Sequence, residues 1–133
     1  MKNFLKLFTL AVFLVILSYA ASAQTRVTFA RGATTKVVSG QMSGFKSERV
    51  YLIRVRQGQT LKVEQMGRSN PVSIYIQNPN GEDATDMDLS CHSTHRISPT
   101  TRGDYRVTVT ECKKADPWRG TYRIRFAVSF VPR

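Results

Sequence analysis

The chain predicts an all-β fold: an antiparallel, jelly-roll-like β-sandwich of about seven or eight strands with one disulfide. Three observations carry that expectation. Beyond Gln24, apolar and polar residues alternate in short runs. Gly, Pro or Asn breaks the runs every ten residues or so, the rhythm of a sandwich. No stretch of the mature part sustains a helical period.

The first 23 residues stand outside this pattern. Met1–Lys6 carries two lysines, Leu7–Leu17 is apolar except for Thr9, and Ala21-Ser22-Ala23 offers a small-x-small site before Gln24. These are the three parts of a secretory signal. The alternative is a membrane anchor, but the apolar run falls short of the roughly 20 residues that span a bilayer. The expected organisation is a signal peptide over 1–23 and a single domain over 24–133, located in the periplasm or secreted, with no membrane span after cleavage.

Strands are expected at Arg26–Ala30 and Thr35–Ser39, and then at Arg49–Arg56 with Tyr51, Ile53 and Val55 on one face. Gln57-Gly58-Gln59 turns the chain into Thr60–Gln65, where Leu61 and Val63 point inward. Val72, Ile74 and Ile76 alternate with Ser73, Tyr75 and Gln77 up to Asn78-Pro79-Asn80-Gly81. That turn is favoured because Pro fixes φ and Asn-Gly tolerates positive φ. Another strand is expected within Leu89–Ile97. Arg102-Gly103-Asp104 then turns into Tyr105, Val107 and Val109, and the longest strand alternates from Tyr122 to Phe130.

Cys91 and Cys112 are the only cysteines. Export permits their pairing, and closing a loop of that size stabilises a small domain by about 3 kcal/mol in the chain-entropy model. Two free thiols are the alternative.

Without Lys2 and Lys6 the chain keeps 18 Lys and Arg against nine Asp and Glu, a formal charge of +9. Such a charge attracts polyanions or an acidic partner. Outside the cytoplasm these are lipid phosphates, envelope polymers and partner carboxylates rather than nucleic acid. Arg54, Arg56, Arg106, Arg123 and Arg125 all fall on the outward phase of expected strands. If those strands share a sheet, its outer face is an arginine stripe; solubility and edge protection are the plainer use of such charge.

Little in the sequence points to catalysis or to a cofactor. His92 and His95 sit together, but a closed zinc site wants four ligands and no second Cys/His pair exists. Glu82, Asp83, Asp86 and Asp88 could offer oxygens to calcium but lack EF-hand spacing. No nucleophile elbow or metalloprotease motif occurs, so the chain reads as a non-enzyme. The segment from Cys112 to Gly120 is sharper. It sets the single Trp118 beside Lys113, Lys114 and Arg119, and Trp and Arg dominate binding hot spots. The alternative is that Trp118 folds back to cap the core.

A longer pattern runs through Val27-Thr28-Phe29-Ala30-Arg31-Gly32-Ala33-Thr34-Thr35, Val38-Ser39-Gly40, Gly44-Phe45 and Gly58-Gln59-Thr60-Leu61-Lys62-Val63. It returns at Gly103-Asp104-Tyr105 and at Tyr122. This pattern resembles a bacterial family of exported inhibitors of g-type (goose-type) lysozyme. Its G-Q-T and G-D-Y turns are also similar to those of pre-peptidase C-terminal β-sandwich domains, non-catalytic modules attached to secreted enzymes. The resemblance implies a β-sandwich that blocks a lysozyme by inserting loops into its substrate cleft. The contacts it implies are Phe45 and Lys46, where the family carries a tyrosine, and Lys113, Lys114, Trp118 and Arg119 in the loop before the last strand. The other class of function is an exported accessory module that holds anionic envelope or carbohydrate polymers on a basic sheet face.

Overall fold

In the computed structural model, which describes residues 24–44, 47–67, 71–85, 91–112 and 116–130, the alternating runs become eight strands. They are β1 (Gln24–Val27), β2 (Thr35–Ser43), β3 (Glu48–Val55), β4 (Gln59–Gln65), β5 (Val72–Gln77), β6 (Thr94–Ile97), β7 (Gly103–Glu111) and β8 (Arg119–Phe130). Two four-stranded sheets result, one in the order β1-β3-β7-β5 and the other β2-β8-β4-β6.

All pairs are antiparallel except β1 with β3, which run parallel from Gln24 opposite Val50 to Val27 opposite Ile53. The first strand therefore begins and ends earlier than the Arg26–Ala30 expected. The last begins earlier too, because Arg119 to Thr121 pair with the end of β2. β6 occupies only Thr94–Ile97 of the longer run expected; residues 86–90 lie outside the described set.

The inward phases meet as one core. Tyr51, Ile53 and Val55 of β3 and Tyr105, Val107 and Val109 of β7 face Leu61 and Val63 of β4 and Tyr122, Ile124 and Phe126 of β8. Burying such side chains contributes roughly 1.5–3 kcal/mol each. At the centre the Tyr51 and Tyr122 hydroxyls share a hydrogen bond of 2.6 Å between the sheets, so the buried oxygens satisfy each other. The Tyr122 ring lies over β2 at Gly40, its partner in register. A Cβ there would stand 2.2 Å from the Tyr122 hydroxyl oxygen. Gly40 is thus required by the packing of Tyr122.

One side of the sandwich is stitched shut. The Ile74 N–H of β5 donates to the His92 carbonyl (2.8 Å), and the Ile74 carbonyl accepts from His95 Nε2 (2.6 Å). Gln65 donates to the Ser93 carbonyl. Segment 91–97 thus joins the free edges of β5 and β4, and the Cys91–Cys112 disulfide anchors it to the end of β7.

Candidate functional site

Antiparallel wiring sends the loops to two opposite ends. At the disulfide end lie the β2–β3 turn and the β7–β8 loop. Ser43, the last residue of β2, pairs with Arg119, the first of β8, so the two connections emerge side by side. The turn is braced locally: Ser47 N–H donates to the Gly44 carbonyl and Ser43 N–H to Ser47 Oγ, both at 2.9 Å. Phe45 and Lys46 within this turn, and Lys113 and Lys114 in the neighbouring loop, lie outside the described residues.

Trp118 turns back onto the core, half-buried, as the alternative reading held. Its main-chain N–H donates to Glu111 Oε1 at 2.9 Å. Sequence inspection overlooked Glu111. It follows Tyr105, Val107 and Val109 on the inward phase of β7 and is only 1% exposed. The signal was present in that phase, since an acid continuing an apolar stripe at a strand end must find a donor inside. Glu111 Oε2 and Trp118 Nε1 are both buried and have no hydrogen-bond partner among the described residues. Arg119, one residue on, points into solvent.

The single arginine stripe does not form. Arg54 and Arg106 belong to the β1-β3-β7-β5 sheet, Arg123 and Arg125 to the other, and Arg56 follows the end of β3. The reason is connectivity: equal phase within strands says nothing about which strands are neighbours. One of these charges is also neutralised, as is Arg26 outside the set. Arg125 binds Glu64 through Nε (2.8 Å) and Nη2, with Lys62 3.3 Å from the same carboxylate. That hydrogen bond holds the Glu64 carboxyl below the usual range. Arg26 grips Asp104 with two hydrogen bonds of 2.9 and 3.0 Å and lowers its pKa likewise.

His92 and His95 stack edge to face at 5.9 Å. Burial lowers the His95 pKa, favouring the neutral ring that donates to Ile74. Among the described residues no group of three or more His, Cys, Asp or Glu is placed to hold a metal ion. Asp86 and Asp88 of the acidic segment lie outside the described residues, while Asp83 accepts from Gln77 at 3.3 Å.

Several motif residues turn out to be structural. Gly40 makes room for Tyr122. Gly103, at positive φ, sits against Pro79, Asp104 takes Arg26, and the Tyr105 hydroxyl receives the Thr101 N–H at 3.0 Å. Gln59 receives the Arg56 N–H at 2.7 Å, closing the Gly58 turn.

This architecture recurs in solved structures. The chain shares the fold of periplasmic inhibitors of g-type lysozyme. Against PliG of Aeromonas hydrophila the TM-score is 0.62 at 18% identity, over 80% of this chain and 96% of that one. PliG of Salmonella Typhimurium gives 0.58 at 16%, covering 82% and 100%. The pre-peptidase C-terminal domain of a Bacillus anthracis collagenase gives 0.51 at 12%, covering 82% and 97%. No protein-family model matches the chain, and no curated protein matches it in sequence.

Proposed function

We propose that this protein is an exported, non-catalytic inhibitor of a g-type lysozyme, acting in the periplasm or outside the cell with its disulfide end in the enzyme's cleft. The observation that carries this reading is the side-by-side emergence of the β2–β3 turn and the β7–β8 loop, fixed by the Ser43–Arg119 pairing, on a fold shared with PliG. Phe45, Lys46, Lys113, Lys114, Trp118 and Arg119 all belong to these two connections. The disulfide suits an oxidising compartment.

The chemistry is direct. Glycosidase clefts are lined with carboxylates. A guanidinium offers them charge-assisted, two-pronged hydrogen bonds. Arg119 is free to extend, whereas Trp118, seated on the core and tied to Glu111, gives the arginine a stiff base. A base fixed before binding lowers the entropy lost on insertion.

The test is a lysis assay with a g-type lysozyme and purified mature protein. Stoichiometric inhibition is expected, with Arg119→Ala weakening it about tenfold or more while the thermal unfolding midpoint is kept. Absence of inhibition at micromolar protein rejects the reading. So does an Arg119→Ala variant as potent as the parent, for the loop-insertion mechanism.

A further inference from the structure

The end of the sandwich opposite the disulfide has no part in the function proposed above. Five connections or strand ends lie there: the β1–β2 loop with Phe29 and Arg31, the β3–β4 turn with Arg56, the β5–β6 connection with Glu82 and Asp83, the β6–β7 loop with Arg102, and the last residues of β8. Arg54, Val55, Arg56 and Arg102 line a cavity of about 550 Å³. Arg54 and Arg56 also border a second, of about 410 Å³, whose apolar wall includes Phe29, Val128 and Phe130. Cationic and apolar cavities thus share two guanidiniums as their common wall.

The arginines are held there by their backbones. Thr100, 1% exposed, joins the two turns: its Oγ1 donates to the Arg56 carbonyl (2.6 Å) and accepts the Gln59 N–H (3.0 Å). Its main chain exchanges hydrogen bonds with Gly58 and Gln59. Thr60 Oγ1 and Ser98 Oγ add a further link at 2.8 Å. Arg56 and Arg102 are therefore brought together by a network that fixes both turns.

Among the described residues neither Arg56 nor Arg102 has an ion pair, and nor does Arg31. Arg54 neighbours Asp104 in register, but both oxygens of that carboxylate are bound to Arg26. Glu82 and Asp83 are at the same end but beyond β7, beside β5. Gathering like charges costs energy that an incoming anion relieves. Guanidinium in particular matches phosphate geometry. Charge alone would suit any polyanion; the aromatics decide between partners. Phe130 is 67% exposed at the rim, with half-buried Phe29 lining the same cavity. An exposed phenyl ring beside clustered cations matches a membrane interface, which takes both the ring and the cations.

We infer that this end is a peripheral docking surface for an anionic phospholipid bilayer, with Arg54, Arg56 and Arg102 on headgroup phosphates and Phe130 in the interface. The orientation leaves the disulfide end pointing away from the membrane.

Co-sedimentation of the mature protein with vesicles tests this. Binding is expected to vesicles of phosphatidylcholine with phosphatidylglycerol and not to phosphatidylcholine alone. The pair Arg56→Gln/Arg102→Gln lowers partitioning about thirtyfold, and Phe130→Ser lowers it several-fold. The control pair Arg96→Gln/Arg123→Gln, which removes equal charge from exposed positions on the β2-β8-β4-β6 sheet, changes it less than twofold. Equal loss in the control pair would mean unspecific attraction by net charge and overturns the inference. Undiminished binding by Phe130→Ser, or displacement by millimolar inorganic phosphate, shows a plain anion site and overturns it as well. Lysozyme inhibition, if present, survives Arg56→Gln/Arg102→Gln, so failure here is distinct from failure of the inhibitor reading.

Discussion

At one end of the sandwich a single buried threonine, Thr100, ties two turns together with four hydrogen bonds. At the other, the loops are held by one disulfide, hydrogen bonds among Ser43, Gly44 and Ser47, the Cys112 N–H on the Pro71 carbonyl, and one bond from the Trp118 main-chain N–H to Glu111. The first arrangement ties the Arg56 carbonyl and the turn residues Gly58 and Gln59 to the loop that carries Arg102. The second fixes the root of a loop and leaves its next side chain, Arg119, in solvent. Hydrogen-bonded turns give a surface of set shape, whereas anchored loops give reach. The contrast fits a broad docking face at one end and a probing contact at the other.

The contrast can be broken from either side. Replacing both cysteines with alanine should cost about 3 kcal/mol in urea denaturation. Amide exchange should speed most near residues 91–93, 111–112 and 116–118. Thr100→Val should cost about 2 kcal/mol, because it leaves the Gln59 N–H and the Arg56 carbonyl unpaired in a buried site. Its exchange effect should fall on Gly58 and Gln59 and leave Trp118 untouched; a uniform effect would mean the ends are not independent. Glu111→Leu should cost about 1 kcal/mol and free Trp118, read as a red shift in the emission of the only tryptophan.

The smallest effect concerns acid. Glu64 is held below the usual carboxylate range by its hydrogen bond to Arg125, and Asp104 by its bond to Arg26. A lowered folded-state pKa gives stability that is complete above the unfolded value, about 4, and lost as pH falls through it toward the folded value. Because both pairs are partly solvated their contribution is modest. Glu64→Gln should flatten the acid limb of the unfolding midpoint against pH, and an unchanged limb would place the acid sensitivity elsewhere.

How much of this was legible beforehand depended on what each residue had to satisfy. Strand bodies such as Val72–Gln77 were readable because alternation is a local rule that burial enforces. Their neighbours were not: an arginine stripe was expected only if the strands of Arg54 and Arg123 shared a sheet, and they do not. Parallel pairing of β1 with β3 left no local trace either. The Val38-Ser39-Gly40 and Gly103-Asp104-Tyr105 motifs were legible as likeness, yet Gly40 answers to the ring of Tyr122 and Gly103 to Pro79. Their recurrence reports a fold. Site residues proved harder. Trp118 read equally as a binding hot spot or a cap on the core because its partner, Glu111, lay hidden on an inward phase, and the arginine turns read only as turns because their common support is one threonine in a loop.

The Tyr51–Tyr122 pair sets a limit at the opposite extreme of pH. Burial, and then the bond to Tyr51, raise the Tyr122 pKa above that of a free phenol. A raised folded-state value gives an acid group stability that holds below its unfolded pKa, near 10, and drains as pH climbs past it. Proton loss from Tyr122 is thus coupled to parting the two sheets. The last phenolate absorbance to appear in an alkaline titration should therefore rise together with the loss of β-sheet circular dichroism, tying an optical signal to the centre of the core.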